Sequence, residues 1–111
     1  MLERRRHHRH RLALPARLVP AGAEGFPVEV LNISAEAVLV RGPHAFHLLK
    51  RALLRLHLGE RVFETDSVCV RVNQGPPWEG PFLFTNPPEE ALRALETFLA
   101  GLPYPQPGRA L

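Results

Sequence analysis

The sequence is poor in several residue types, and each shortage excludes a class of structure or site. Cysteine occurs once, at Cys69, so no disulfide can form within the chain, and a reducing cytoplasm is the expected location. No apolar run approaches the roughly 20 residues that a membrane-spanning helix needs, and Pro15 and Arg17 interrupt the stretch that could resemble a signal peptide. Lysine also occurs once, at Lys50, so any phosphate contact is expected to come from the planar guanidinium group of arginine.

Signals for catalysis and for metal binding are also missing. No Ser/His/Asp grouping, paired carboxylates or phosphate-binding glycine loop stands out, so no enzymatic activity is expected. His7, His8 and His10 lie close together, as do His44 and His47, but neither set has acids or cysteines at ligand spacing. No metal site and no cofactor are therefore expected. The strands offer no clear aromatic stacking platform, so nucleic-acid binding is not favoured.

The most extreme feature that is present is a basic tract at residues 4–11, which consists of five arginines and three histidines. Six arginines and one acid, Glu3, lie in the first seventeen residues, whereas the remaining ninety-four contain eight basic and ten acidic residues. The positive potential is therefore local, which indicates an anionic partner near this tract. A solvated basic tail that binds nothing is the alternative.

The 111 residues fit one domain, and their apolar pattern is mainly that of β-structure. Residues 12–19 alternate with period two and predict a strand, in which Pro15 requires either an edge strand or a solvent-facing position. The three valines Val68, Val70 and Val72 are expected to face the core. Further strands are predicted at residues 26–31, 38–41, 51–58, 61–73 and 80–85, with a loop or single helical turn at 44–50 and a hairpin turn at 59–60.

A helix is predicted after the last strand. Asn86 is expected as its N-cap, Pro87 as its first residue and Glu89 as the third, with Gly101 at its end. An apolar stripe at helical spacing would pack on the sheet or close one end of a barrel; it consists of Leu92, Leu95, Leu99 and Leu102. The predicted organisation is a single domain at 1–111: a flexible basic arm at 1–11, a β-barrel at 12–86, the C-terminal helix at 87–101 and a tail at 102–111.

The order of short motifs resembles that of the PilZ domain family. Arg5-x-x-x-Arg9, followed by the apolar alternation, resembles the arm and first strand of that family. About twenty residues later the family has D/N-x-S-x-x-G, and this chain has Asn32, Ser34 and Ala37 at those places. The resemblance implies a mainly β fold, a small six-stranded antiparallel β-barrel with a C-terminal α-helix. It also implies a ligand, the bacterial second messenger cyclic di-GMP.

The resemblance further implies roles for individual residues. Arg5 and Arg9 would be the two arm arginines, which donate paired hydrogen bonds to guanine O6 and N7 or to phosphate oxygens. Arg4 would add a further phosphate or base contact. Asn32 and Ser34 would hydrogen-bond a guanine or orient the arm. The expected function is that of a receptor or adaptor module whose arm orders on the nucleotide and changes a protein-interaction surface.

Ala37 departs from the family motif, which ends in glycine. If the position requires a positive φ, alanine costs about 1–2 kcal/mol, about a tenfold effect on whatever depends on that backbone geometry. If glycine serves only for close approach, one methyl group is tolerated. The alternative function is therefore a PilZ-like protein-interaction module that does not bind the nucleotide. In both cases a downstream protein partner is expected, and the sequence does not identify it.

Overall fold

The structure, a computed structural model, describes residues 10–102, with side chains described from residue 13 onward. Six strands form a closed barrel in the order β1-β2-β3-β6-β5-β4, and every neighbouring pair is antiparallel. One helix follows the last strand, so the predicted fold class is confirmed. The elements are β1 (His10–Pro20), β2 (Phe26–Ile33), β3 (Ala37–Gly42), β4 (Arg51–Leu58), β5 (Arg61–Cys69), β6 (Trp78–Thr85) and α1 (Glu89–Ala100).

The barrel interior is filled by the apolar side chains that alternate along the strands. Successive side chains of a strand point to opposite faces, so the residues at every second position meet inside the closed sheet. Burying each large apolar side chain contributes about 1.5–3 kcal/mol. The largest fully buried side chains are those of Leu18, Val30, Ile33, Val38, Val40, Leu54, Leu56, Phe63, Phe82 and Leu95.

Pro15 lies on the outer face of the barrel, exposed to solvent. β1 pairs with β2 on one side and with β4 on the other, so it is not an edge strand. The described pairing with β4 begins at Ala16, one residue after the proline. The missing N–H of Pro15 therefore falls just outside that ladder. Of the two predicted alternatives, an edge strand or a solvent-facing position, the structure shows the solvent-facing position.

The predicted inner face of β5 is wrong for Val68 and Val70, whereas Val72 packs against the core from beyond the end of the strand. Phe63, Thr65 and Ser67 are buried, together with Cys69, whereas Val70 is exposed and lies beyond the end of the strand. The polar side chains can occupy the interior because they are hydrogen-bonded there. The Ser67 hydroxyl donates to the Ala52 carbonyl oxygen at 2.9 Å, and the Thr65 hydroxyl donates to a backbone carbonyl at 3.1 Å.

The apolar stripe of α1 packs on the barrel as predicted, and the helix contacts β5. Leu95 is fully buried, and Leu92, Phe98 and Leu99 pack against the core. The helix therefore adds Leu95 to the core of the barrel and lies against β5.

The predicted start of α1 is wrong by two residues. The helix begins at Glu89, and Pro88 occupies the N-cap without a side-chain hydrogen bond. Asn86 has a φ of 52° instead, a left-handed conformation that asparagine tolerates better than most residues. It therefore turns the chain out of β6 rather than capping the helix. At the other end Gly101 keeps a right-handed φ of −87° and donates to the Phe98 carbonyl.

The two ends of the barrel differ in the connections that they carry. β3 crosses the barrel from Ala37 to Gly42. We call the end with residues 34–36, which join β2 to β3, the turn end, and the end with residues 43–50, which join β3 to β4, the loop end. No helix within residues 10–102 is long and apolar enough to cross a membrane.

Candidate functional site

A β-bulge shapes the strand that carries Asn32. Val30 pairs with Val40, but Asn32 pairs with Leu39, so β2 has one extra residue, Leu31, at this point. A bulge breaks the alternation of faces and redirects the residues after it. Asn32 and Ile33 are consequently both buried, although they are adjacent in the strand.

The start of β1 lies beside this bulge. Arg11 pairs with Asn32, and His10 pairs with Ile33, while a register shift separates this pairing from the one between Leu14 and Val30. The chain therefore enters the barrel at the turn end, next to Asn32. The arm residues Arg4, Arg5 and Arg9, predicted as ligand contacts, lie outside the described residues.

Ser34 holds the turn that follows. Its backbone N–H donates to the Ala37 carbonyl at 2.9 Å. Its hydroxyl oxygen accepts the N–H of Glu36 at 3.1 Å and the N–H of Ala37 at 3.2 Å. A serine hydroxyl that satisfies two backbone donors is a strong constraint on a short turn. The structure therefore assigns Ser34 the task of fixing the turn between β2 and β3.

Ala37 is the first residue of β3 and pairs with Leu83 of β6. Among the described non-glycine residues, only Leu49 and Asn86 have a positive φ, so Ala37 does not require a left-handed backbone. The Phe84 N–H donates to the Glu36 carbonyl at 3.0 Å and ties the turn to β6. The cost considered for alanine, a strained φ, is therefore absent from this structure.

The structure brings Asn32, Ser34 and Ala37 together at the turn end, where all three are buried. Asn32 is 2% exposed and Ser34 is 4% exposed. A ligand that contacts the Asn32 carboxamide must therefore displace neighbouring groups. A hydroxyl with no partner among the described residues, that of Thr85, lies at the end of β6, next to Phe84.

The loop end contains a feature that the sequence did not predict. A cavity of about 360 Å³ lies among side chains that come from four separate segments of the chain. Its apolar lining includes Leu18, Phe26, Phe46 and Phe82. In the sequence these residues look like ordinary core residues, so no local motif could have identified them as the lining of a cavity.

The remaining residues considered in the sequence have structural roles. Cys69 is fully buried, and its thiol donates to the Arg71 carbonyl oxygen at 3.3 Å; burial raises its pKa. The ring of His44 packs edge-on against Phe26, with centroids 4.8 Å apart. Trp78 lies in β6 opposite Gly42 and packs against the core. Across residues 10–102, no three His, Cys, Asp or Glu side chains gather in a way that could hold a metal ion.

Solved structures with the same fold are similar to this chain over most of its length. The Bacillus subtilis inhibitor of motility (MotI/DgrA) has a TM-score of 0.74 and 20% identity, covering 87% of this chain and 49% of that one. The PilZ domain of YcgR from Escherichia coli, solved with c-di-GMP, has a TM-score of 0.71 and 15% identity, covering 88% and 91%. The complex of K. pneumonia MrkH with c-di-GMP has a TM-score of 0.71 and 18% identity, covering 90% and 52%.

These similarities establish the fold, and this chain spans about half the length of the Bacillus and MrkH proteins. No curated protein matches the sequence. The family model described as PilZ domain matches residues 3–101, nearly the whole chain, and that range includes the arm, the turn and the closing helix. The chain therefore belongs to the PilZ domain family.

Proposed function

We propose that this chain is a cyclic di-GMP receptor module in which Arg5 and Arg9 bind the nucleotide together with the turn end of the barrel. One observation carries the proposal. His10 and Arg11 pair with Ile33 and Asn32, so the arm joins the barrel beside the bulge. Arg9 directly precedes His10 in the chain.

The chemistry of the arginines suits this ligand. Cyclic di-GMP presents two phosphates and two guanines, and a guanidinium can fork onto either group or stack on a base plane. Arg4, next to Arg5, provides a further donor. The Asn32 carboxamide both donates and accepts, so it can bond the edge of a guanine. Ser34 contributes by holding the turn, and Ala37 by donating its N–H to the Ser34 hydroxyl oxygen.

Binding would also change the surface that the module presents. The arm is polar and highly charged, and its ordering on a nucleotide would cover part of the turn end with new groups. Because Asn32 is buried without ligand, binding would also displace its neighbours. The module would thus act as an adaptor whose protein-interaction surface depends on the nucleotide, rather than as an enzyme. The structures of YcgR and MrkH with c-di-GMP support this proposal.

Titration calorimetry with cyclic di-GMP tests the proposal. Saturable binding is expected for the unmodified chain, with a loss of at least about tenfold in affinity for Arg5→Ala and for Arg9→Ala. Arg93→Ala is the matched control, because Arg93 lies on α1 and pairs only with Glu89 among residues 10–102. Cyclic di-AMP has the same phosphate backbone and is expected to bind more weakly, since it lacks guanine O6.

The absence of heat at high micromolar nucleotide, with a folded protein, would overturn the proposal. It would leave the alternative, a PilZ-like protein-interaction module that does not bind the nucleotide. Equal affinities for Arg9→Ala and the unmodified chain would instead show that the nucleotide binds elsewhere.

A further inference from the structure

The cavity at the loop end is concave and mainly apolar. Phe46 and Phe82 are almost fully buried in its wall, and their rings meet edge-on with centroids 5.1 Å apart. Leu18 and Phe26 complete the apolar lining. A volume of about 360 Å³ lies at the lower end of the range of sites that bury a small ligand or a large side chain. The strand β3 separates this cavity from the turn end, so it is not part of the proposed nucleotide site.

A turn beside the cavity exposes two large apolar side chains. Residues 47–50 form this turn, which is closed by a hydrogen bond from the Lys50 N–H to the His47 carbonyl at 3.2 Å. Leu48 is 54% exposed and Leu49 is 68% exposed. The Leu49 N–H donates to the Cys69 carbonyl at 2.7 Å, which places the turn next to Val70, another exposed apolar residue. Contiguous exposed apolar side chains are typical of protein-interaction surfaces.

Leu49 also has a strained backbone. Its φ is 60°, a left-handed conformation in which the Cβ atom of a leucine is crowded and glycine would be more stable. The side chain gains little from burial, because it is mostly exposed. A strained residue with an exposed apolar side chain indicates a function for that side chain outside the folding of the domain.

Positive charge borders the same cavity. Lys50 and Arg51 contribute to its lining. Arg51 pairs with Asp66 at 2.9 Å, whereas no carboxylate within residues 10–102 pairs with the ammonium group of Lys50. The site therefore combines an apolar hollow, exposed leucines and a cation, and its electrostatic complement is acidic.

We propose that the loop end binds a partner protein through an acidic segment that carries a bulky apolar side chain. The apolar side chain enters the cavity, the segment lies against Leu48 and Leu49, and its carboxylates face Lys50. An anchor residue in a pocket, surrounded by complementary charge, is the usual arrangement of a protein interface that depends on a few residues. This surface does not include the arm, so the inference does not depend on nucleotide binding.

A nucleic acid fits this surface less well. Its affinity comes mainly from several phosphate contacts, and here one cation borders a mainly apolar hollow. An acidic peptide with an apolar anchor satisfies both the cavity and the charge.

Selection from a random-peptide display library on the immobilised full chain tests the proposal. The enriched peptides are expected to share an aromatic or large aliphatic residue flanked by acidic residues. A synthetic peptide with the shared sequence is then titrated into the isotopically labelled protein. Its amide resonance shifts are expected at residues 44–52 and at Phe82, and not at residues 32–37.

Two variants make the test sharp. Leu49→Gly removes the apolar side chain and the backbone strain together. Loss of the strain should make the protein more stable, with a Tm higher by about 2–5 °C, and loss of the side chain should lower the peptide affinity by about fivefold. Lys50→Glu reverses the charge and is expected to lower the affinity by at least about tenfold. Val62→Ala and Arg93→Glu are matched controls away from the cavity, and both are expected to bind the peptide normally.

Other outcomes overturn the proposal. These are enriched peptides without acidic residues, no enrichment at all, or equal peptide affinity for Lys50→Glu, Leu49→Gly and the unmodified chain. If the chain binds anionic lipid vesicles with the same dependence on Leu49 and Lys50, the loop end is a membrane-binding surface and not a protein-binding surface. Arg9→Ala is expected to bind the peptide unchanged, so failure of the nucleotide proposal is distinguishable from failure of this one.

Discussion

The hydroxyl oxygen of Ser34 lies 3.2 Å from the amide nitrogen of Ala37 and accepts its N–H. It accepts the N–H of Glu36 as well, at 3.1 Å. The serine and the alanine of the motif are thus joined to each other, and the three-residue connection between β2 and β3 depends on a side chain that is itself buried. Ser34, which was expected to contact a ligand, therefore has a structural role in this turn.

Replacing Ser34 by alanine should destabilise the protein. Ser34→Ala leaves the backbone N–H groups of Glu36 and Ala37 without this acceptor, and that of Ala37 is buried, so we expect the free energy of unfolding to fall by about 1–2 kcal/mol. Urea denaturation followed by circular dichroism measures this change. Ser34→Thr keeps the hydroxyl and should lose less. An unchanged midpoint for Ser34→Ala would show that the hydroxyl does not hold the turn.

Replacing Ala37 by glycine should not restore any missing affinity. Ala37 lies in β3 without a positive φ, so there is no strain for glycine to relieve. Glycine adds backbone entropy to the unfolded chain and removes a buried methyl group, so the free energy of unfolding should fall by about 1 kcal/mol. Denaturation and nucleotide titration of Ala37→Gly check both expectations. A tenfold gain in affinity would mean that the bound state requires a conformation that alanine resists.

Thr85 offers a stabilising substitution. Its hydroxyl oxygen is buried and has no hydrogen-bond partner among the described residues. Thr85→Val removes this unsatisfied group at nearly constant volume, so we expect the free energy of unfolding to rise by up to about 1 kcal/mol. Thermal and urea denaturation measure the change. Thr65→Val is the control, since the Thr65 hydroxyl donates a hydrogen bond and its loss should not stabilise the protein. A destabilised Thr85→Val would indicate that its hydroxyl has a partner.

Cys69 should make the protein less stable at alkaline pH. Burial raises the pKa of its thiol in the folded state, so above the pKa of the unfolded chain the folded state retains a proton that the unfolded state has lost. The contribution of Cys69 is therefore complete below about pH 8.5 and decreases as the pH rises further. Denaturation between neutral and alkaline pH should show a shallower decline for Cys69→Ala than for the unmodified chain. Identical slopes would exclude the thiol as a cause.

The positions of most strands and of the helix were predictable from residue order. Side chains alternate across a pleated sheet, so the alternation at residues 12–19, 26–31 and 51–58 identifies β1, β2 and β4 before any contact is known. The stripe through Leu92, Leu95 and Leu99 identifies the packed face of α1 for the same local reason. The motif residues Asn32, Ser34 and Ala37 were also identified in the sequence, because their order and spacing are recognisable without coordinates.

The tertiary structure decided what depends on neighbours distant in the chain. Ser67 is stable inside the barrel only because the Ala52 carbonyl of β4 accepts its hydrogen bond, and no local pattern shows that partner. The bulge at Leu31 depends on the register of β2 against β3, and it determines that Asn32 faces inward. The cavity at the loop end is likewise formed by residues from four segments. Local periodicity thus determined the strands and the helix, whereas the closure of the barrel determined which side chains meet. The physical reason is that a buried polar group needs a partner from another strand, and a cavity needs walls from several segments.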